Sequence, residues 1–194
     1  LSSSSAASDV YKRQLTERDL KINEPMSRHT TYGIGGPADV FVMPQTEEQL
    51  IKILRKADEE GIAVTVIGGG SNTLVSDKGI RGITICMNRM KQEMTCEGEW
   101  ITASGGTGTG TVARFAEKNS LKGFAWAVGI PGTVCGAVFM NANGYGSQMK
   151  RVVEEVYAIT RDGKEKKTYG WDDLHYGDSD SVFMHLSLIH ISEP

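Results

Sequence analysis

An α+β fold is predicted by three observations. Strand-like and helix-like apolar patterns alternate from Asp39 to Ala103. Glycine clusters follow two of the predicted strands directly. From Val152 the pattern changes to that of a β-hairpin.

Asp39-Val-Phe-Val-Met43 reads as a short strand closed by Pro44. Thr46 with Gln49 three residues on forms a capping box, so a helix starts there. Leu50, Ile53, Leu54 and Ala57 share one face of it, and Gly61 ends it. Ala63–Ile67 is a β-branched run, a buried strand that feeds straight into a glycine loop. Strand, helix, strand and loop in that order mark a cofactor domain. Ile80–Met87 reads as a strand-pair region with Ile83, Ile85 and Met87 alternating. Glu97-Gly98-Glu99-Trp100 is a hairpin turn before a strand at 100–103. Val112, Phe115 and Ala116 give 109–119 helical spacing, and 133–140 opens a second small helix. Two β-rich stretches, 152–160 and 166–169, flank Asp162-Gly163 as a hairpin. The change of pattern places a domain boundary at 147–152.

The chain has 194 residues, 39% of them hydrophobic, enough for one or two small domains with a real core. Its net charge of −3 argues against a nucleic-acid footprint, which needs a basic face. No apolar run approaches the roughly 20 residues of a membrane span. Cys86, Cys96 and Cys135 are too widely spaced for a disulfide scaffold or a metal site. They read as free thiols in a reducing, cytoplasmic setting. Residues 1–14 and 186–194 resemble translated sequencing-adapter sequence and are read as a non-native leader and tail.

The 23 glycines exceed the ordinary share of about 7%. They cluster in Gly68-Gly-Gly-Ser-Asn72, Gly105-Gly106, Gly129-Ile-Pro-Gly132 with Gly136, and Asn141-Ala-Asn-Gly-Tyr-Gly146. Glycine lets backbone approach a ligand closely, and bare N–H groups in such turns bind phosphate. Several such loops in one chain suggest a long ligand with a diphosphate, the shape of a dinucleotide. The turn at 129–132 adds a helix start that can face an anion. No Walker loop is present, because Gly70 is followed by Ser71-Asn72 and not by lysine. No Rossmann fingerprint is present either: Thr73 and Thr111 occupy the third glycine position.

The catalytic inventory is thin. His29, His175, His185 and His190 do not pair at metal-ligand spacing, so no metal is expected. His29 reads as a surface or loop histidine. Asp172-Asp173 and Asp178-Ser179-Asp180 read as solvated turn carboxylates. The loops supply binding, and a bound cofactor carries the chemistry.

The ordered set Thr31-Tyr-Gly-Ile-Gly35-Gly36-Pro-Ala38, Gly68–Asn72, Gly129–Ala137 and Asn141–Gly146 resembles the UDP-N-acetylenolpyruvoylglucosamine reductase family. The resemblance covers roughly 19–184. It implies a vanillyl-alcohol-oxidase/PCMH-type FAD-binding domain at 19–148 and the start of a substrate-binding domain at 149–185. It implies non-covalent FAD, NADPH as reductant, a UDP-sugar substrate and a place in bacterial peptidoglycan synthesis. By motif, Gly68, Gly69, Gly70, Ser71 and Asn72 hold the diphosphate. Thr31, Gly35, Gly36, Gly105, Gly106, Ile130, Pro131, Gly132 and Gly136 lie beside the cofactor. Asn141, Tyr145 and Gly146 lie near flavin and substrate.

Two departures stand out. The family's Asn-Ala-Gly-Ala-Tyr-Gly is Asn141-Ala-Asn-Gly-Tyr-Gly146 here. The family's Gly-Tyr-Arg-x-Ser is Gly177-Asp178-Ser179-Asp180-Ser181, so the substrate-facing tyrosine-arginine pair is replaced. The family's later serine and glutamate do not occur in the chain. No catalytic residue is therefore assigned, and the chain reads as a truncated reductase without full turnover. A catalytically inactive flavin- or nucleotide-binding module and a different FAD-linked oxidase of the same fold are the alternatives. Such oxidases often hold flavin covalently through a histidine near the first loop, and none lies between His29 and His175.

Overall fold

The computed structural model describes residues 19–186 and the backbone of 188–190. The expected leader lies outside the described residues. The chain divides into two compact units, Leu1–Met90 and Lys91–Pro194.

The first unit is built on strands β1 (Leu20–Pro25), β2 (Pro37–Val42), β3 (Val64–Ile67) and β4 (Ile80–Cys86), with helix α1 (Glu47–Glu59). Their order in the sheet is β1-β2-β4-β3. β2 and β3 both run parallel to β4, and β1 pairs antiparallel with β2. Helix α1 forms where its cap and apolar stripe predict. Thr46 Oγ1 accepts from the Gln49 N–H at 3.3 Å, while Gln49 Oε1 accepts from Gln45 N–H at 2.8 Å. The reciprocal bond thus falls one residue earlier than a strict capping box. Leu50, Ile53, Leu54 and Ala57 are all buried. Each large apolar side chain so buried contributes about 2 kcal/mol.

β4 departs from the expected alternation. Ile83, Thr84, Ile85 and Cys86 are all buried, and Met87 begins a 3-10 turn. The cause is position: β4 lies between β2 and β3 in a parallel arrangement, with both faces covered. β1 carries no readable strand signal. Its Ile22 is exposed, its Glu24 is buried, and Asn23 between them has φ +52°. That inversion hides it from any search for alternating apolar residues.

The second unit opens with the hairpin β5 (Met94–Glu97) and β6 (Trp100–Ala103), turning at Gly98. Helices α2 (Thr109–Lys118) and α3 (Val134–Phe139) follow. Two-residue strands β7 (Asn143–Gly144) and β8 (Ser147–Gln148) then pair with each other. β9 (Glu155–Thr160) and β10 (Lys166–Gly170) form the expected hairpin. A short helix α4 (Val182–His185) leads to β11 (Leu188–His190), which pairs with the other edge of β9. That strand lies in the segment read as a non-native tail. The core gathers Val112, Val134, Val138, Val156, Leu174 and Phe183.

Candidate cofactor-binding site

In the first unit the turn 68–72 leaves the C-terminal end of β3, a parallel strand. Ligands of open parallel sheets bind at such ends. Gly70 has φ +69°, and a Cβ there would lie 1.9 Å from the His29 carbonyl oxygen. The Thr31 N–H donates to the Gly70 carbonyl at 3.1 Å, so Thr31 and the glycine turn are joined directly. The Gly68 carbonyl accepts from Cys86 Sγ at 3.5 Å. Gly69 and Asn72 stand exposed at the tip of the turn.

Gly35 and Gly36 pack against residues 75–79, further along the chain from the glycine turn. A Cβ on Gly36 would lie 2.0 Å from the Asp77 carbonyl oxygen. Gly36 N–H donates to Ser76, and its own carbonyl accepts from Met26 N–H. Packing of backbone on backbone therefore requires glycine here, whatever is bound. Tyr32, Ile34 and Leu74 are 58%, 54% and 71% exposed, an apolar fringe within a few residues of the two loops. Small residues at an exposed turn tip, flanked by open apolar side chains, fit a ligand with a phosphate segment and flat rings.

His29 lies in a loop, as one of the two expected readings had it, but not on the surface. Its side chain is only 16% exposed. The ring stacks on Phe41 at 4.1 Å, and Nε2 lies 2.9 Å from Glu24 Oε1. Lys21 Nζ reaches the same oxygen at 2.9 Å. Burial alone would raise the Glu24 pKa, but the bonds to His29 and Lys21 outweigh it and hold the carboxyl below its usual range.

In the second unit the turn after β6 is closed by Ser104 and Thr107, whose buried hydroxyls lie 3.0 Å apart. Gly105 and Gly106 within it are buried. The Cys135 N–H donates to the Gly105 carbonyl at 2.9 Å and Val134 N–H to the Thr107 carbonyl at 2.8 Å. This corrects the expectation of an anion-facing helix start. The first N–H groups of α3 are engaged by the neighbouring turn. Thr109 Oγ1 donates to Ile130 O at 2.6 Å, and Thr109 N–H to Gly132 O at 3.1 Å. So Gly105, Gly106, Ile130, Pro131, Gly132 and Gly136 belong to one knit segment. Gly129 and Pro131 are exposed on it.

Tyr145 is 81% exposed at φ +51°, and its ring lies over Gly129. Gly146 beside it accepts from Arg151 Nη1 at 3.1 Å. Asn141 is different: it is wholly buried. Its Nδ2 donates to Gln148 Oε1 at 3.1 Å and to the Gly177 carbonyl at 2.7 Å, and its Oδ1 accepts from Lys150 N–H at 3.0 Å. The side chain expected beside the flavin is thus a structural hub of the loop 141–150.

Gly177 and Asp180 bridge a tight turn, with Asp178 and Ser179 exposed at its tip and Ser179 at φ +52°. The His185 ring lies 3.0 Å from Asp180 and holds that carboxyl below its usual range. Ser181 is buried and donates to the Phe139 carbonyl at 2.7 Å. Among the described residues no group of three or more His, Cys, Asp or Glu could hold a metal ion. Among them no helix is long and apolar enough to cross a membrane. Cys86 and Cys135 are buried and Cys96 half-buried, and none of the three is in a disulfide.

Residues 38–169 match the FAD binding domain family. The chain belongs to that family. This FAD-binding chain is 44% identical over 151 residues to the UDP-N-acetylenolpyruvoylglucosamine reductase of Caldanaerobacter subterraneus subsp. tengcongensis. The match takes in 78% of the chain and 50% of the relative, so the chain spans about half the length of the curated relatives it matches. Among solved structures, the reductase MurB from Thermus caldophilus is similar with a TM-score of 0.71 and 28% identity, covering 90% of this chain and 59% of that one. p-Cresol methylhydroxylase shares the fold at a TM-score of 0.67 and 13% identity, covering 97% of this chain and 42% of that one. The motif resemblance and the α+β, vanillyl-alcohol-oxidase/PCMH-type fold of this FAD-binding chain are both borne out by these matches.

Proposed function

We propose that the chain is the FAD-binding portion of a UDP-N-acetylenolpyruvoylglucosamine reductase, with 19–148 as the FAD-binding domain and 149–185 as the start of the substrate domain. The observation that carries this reading is the Gly68–Asn72 turn at the end of β3, closed on Thr31 with Gly69 and Asn72 exposed at its tip. Bound FAD would supply hydride transfer from NADPH to the enolpyruvyl double bond of the UDP-sugar, in the bacterial cytoplasm, where the three thiols stay reduced.

The residues have distinct parts in this. Gly68–Asn72 hold the diphosphate through backbone N–H groups and the Ser71 and Asn72 side chains. Thr31, Gly35 and Gly36 set the loop beside it. Ile130–Gly132, Gly136, Tyr145 and Gly146 offer exposed or small surface to the rings. Asn141 acts through position, by fixing the loop that carries Tyr145.

A second reading is favoured by one observation. Asp178 and Ser179 stand where the family carries tyrosine and arginine, and neither can pair with a substrate carboxylate as a guanidinium does. The chain then binds flavin and accepts electrons without completing turnover. The test is an anaerobic NADPH titration of the FAD-loaded chain. Loss of the visible flavin absorption is expected. Subsequent addition of the enolpyruvyl UDP-sugar should not restore it. Restoration with formation of UDP-N-acetylmuramate would contradict the second reading, and failure to bleach would contradict NADPH as reductant.

A further inference from the structure

We propose that Glu24 and His29 are positioning residues for cofactor binding: they clamp the backbone at Thr30–Thr31 onto the glycine turn at Gly70. The proposal rests on the FAD reading of that turn. It follows from the fixed points on either side of His29.

On one side the imidazole is anchored to the sheet. Its ring stacks on Phe41, which is fully buried in β2, and Nε2 meets the carboxylate of Glu24, buried in β1. On the other side the backbone of the same residue meets the turn. The His29 carbonyl stands where only a glycine at position 70 leaves room, and Thr31 N–H donates to Gly70 two residues on. Thr30 Oγ1 then donates to Ile34 O at 3.0 Å, and Gly33 N–H to Thr30 O at 3.1 Å, closing the next turn. A shift of the ring therefore moves the backbone that closes on Gly70.

Charge pairing alone does not explain His29. A buried carboxylate needs a partner, but Lys21 Nζ already reaches Glu24 Oε1 at 2.9 Å, and Arg28 lies 3.9 Å from Oε2. What His29 adds is a rigid link from that carboxylate to the loop. Lys21 touches the same oxygen and makes no such link, which makes it the natural control.

The experiment compares Lys21→Met, Glu24→Gln, His29→Gln and His29→Ala, each in the whole 194-residue chain, with the unsubstituted chain. FAD Kd is read by flavin fluorescence, thermal midpoints are read without FAD, and hydrogen exchange is read at the Thr31 amide. His29→Ala should raise the Kd about tenfold, the ordinary loss for a hydrogen bond to a charged group. His29→Gln, which can still donate to Glu24, should recover most of that loss. Lys21→Met should lower the thermal midpoint and leave the Kd within about twofold. Thr31 exchange should quicken in His29→Ala and not in Lys21→Met. Equal FAD binding by wild type and His29→Ala, or unchanged Thr31 exchange, would overturn the clamp alone. Equal weakening by Lys21→Met and His29→Ala would reduce it to charge pairing and overturn it too. No FAD binding by folded wild type would overturn the cofactor reading itself.

Discussion

The glycine turns of the two units use the same residue for different reasons. In the first unit a Cβ at Gly70 or Gly36 would run into backbone carbonyls, 1.9 Å and 2.0 Å away. Backbone cannot yield cheaply, so these glycines are demanded by the fold itself. In the second unit a Cβ on Gly129 or Gly144 would meet side chains, the Tyr145 hydroxyl at 2.9 Å and Ile130 Cδ1 at 2.5 Å. At Gly136 the nearest atom is Thr133 Oγ1, at an ordinary 3.5 Å. A glycine-rich loop is therefore no uniform signal of a ligand. Substitutions in the first unit read folding before binding, and those at Gly136 read binding almost alone.

The largest expected effect breaks the first unit. Gly70→Ala combines positive φ with a clash against fixed backbone, and should cost about 3 kcal/mol or more. A thermal melt checks it, with flavin lost alongside; an unchanged midpoint would mean that the turn is not closed on His29. Next comes the hub of the second unit. Asn141→Ala leaves the Gly177 carbonyl and the Lys150 N–H without their partner, at about 2–3 kcal/mol in denaturant unfolding. Because the two residues belong to different units, hydrogen exchange should show the Asn141 loss within Lys91–Pro194 and the Gly70 loss within Leu1–Met90.

A smaller effect depends on pH. The folded pKa of Glu24 lies below the ordinary 4.5. Its stabilising contribution is then fully present above that value and disappears as pH falls through the folded pKa. The stability difference between wild type and Glu24→Gln should be constant at neutral pH and shrink below about pH 4.5, as urea midpoints across an acid series would show. A difference that grows on acidification would contradict the pairing. The smallest effect sharpens the contrast. Gly136→Ala lies in a helix with room for a methyl, so stability should hold or rise by up to about 1 kcal/mol. If the position faces the cofactor, FAD Kd should rise nonetheless, a split that calorimetry on the same sample would reveal.

Much of this architecture is legible in the chain because local chemistry and tertiary packing agree. Thr46 caps its helix, the 97–100 turn makes its hairpin, and Asp162-Gly163 lies between paired strands. Legibility fails where tertiary context overrides local pattern. β1 inverts inside and outside around Asn23 and so shows no period of two; β4 is found from its alternating Ile83 and Ile85, but its burial on both faces is not. At the candidate site, sequence locates the loops but not what their atoms touch. The α3 N–H groups look available and are engaged by Gly105 and Thr107 carbonyls. Asn141 looks like a ligand contact and holds a loop together. His29 reads as a surface or loop residue and is in a loop, but its burial is hidden because its partner, Glu24, lies in a strand that the pattern does not announce. A buried glutamate five residues before a histidine is the one signal that could have pointed to it.

The most direct measurement is FAD retention by the full chain, first shown by circular dichroism to be folded, then mixed with FAD and desalted. A visible flavin spectrum carried through the column, at close to one flavin per chain, is the predicted result. A folded chain that emerges colourless would contradict the assignment of the glycine turns to a flavin site.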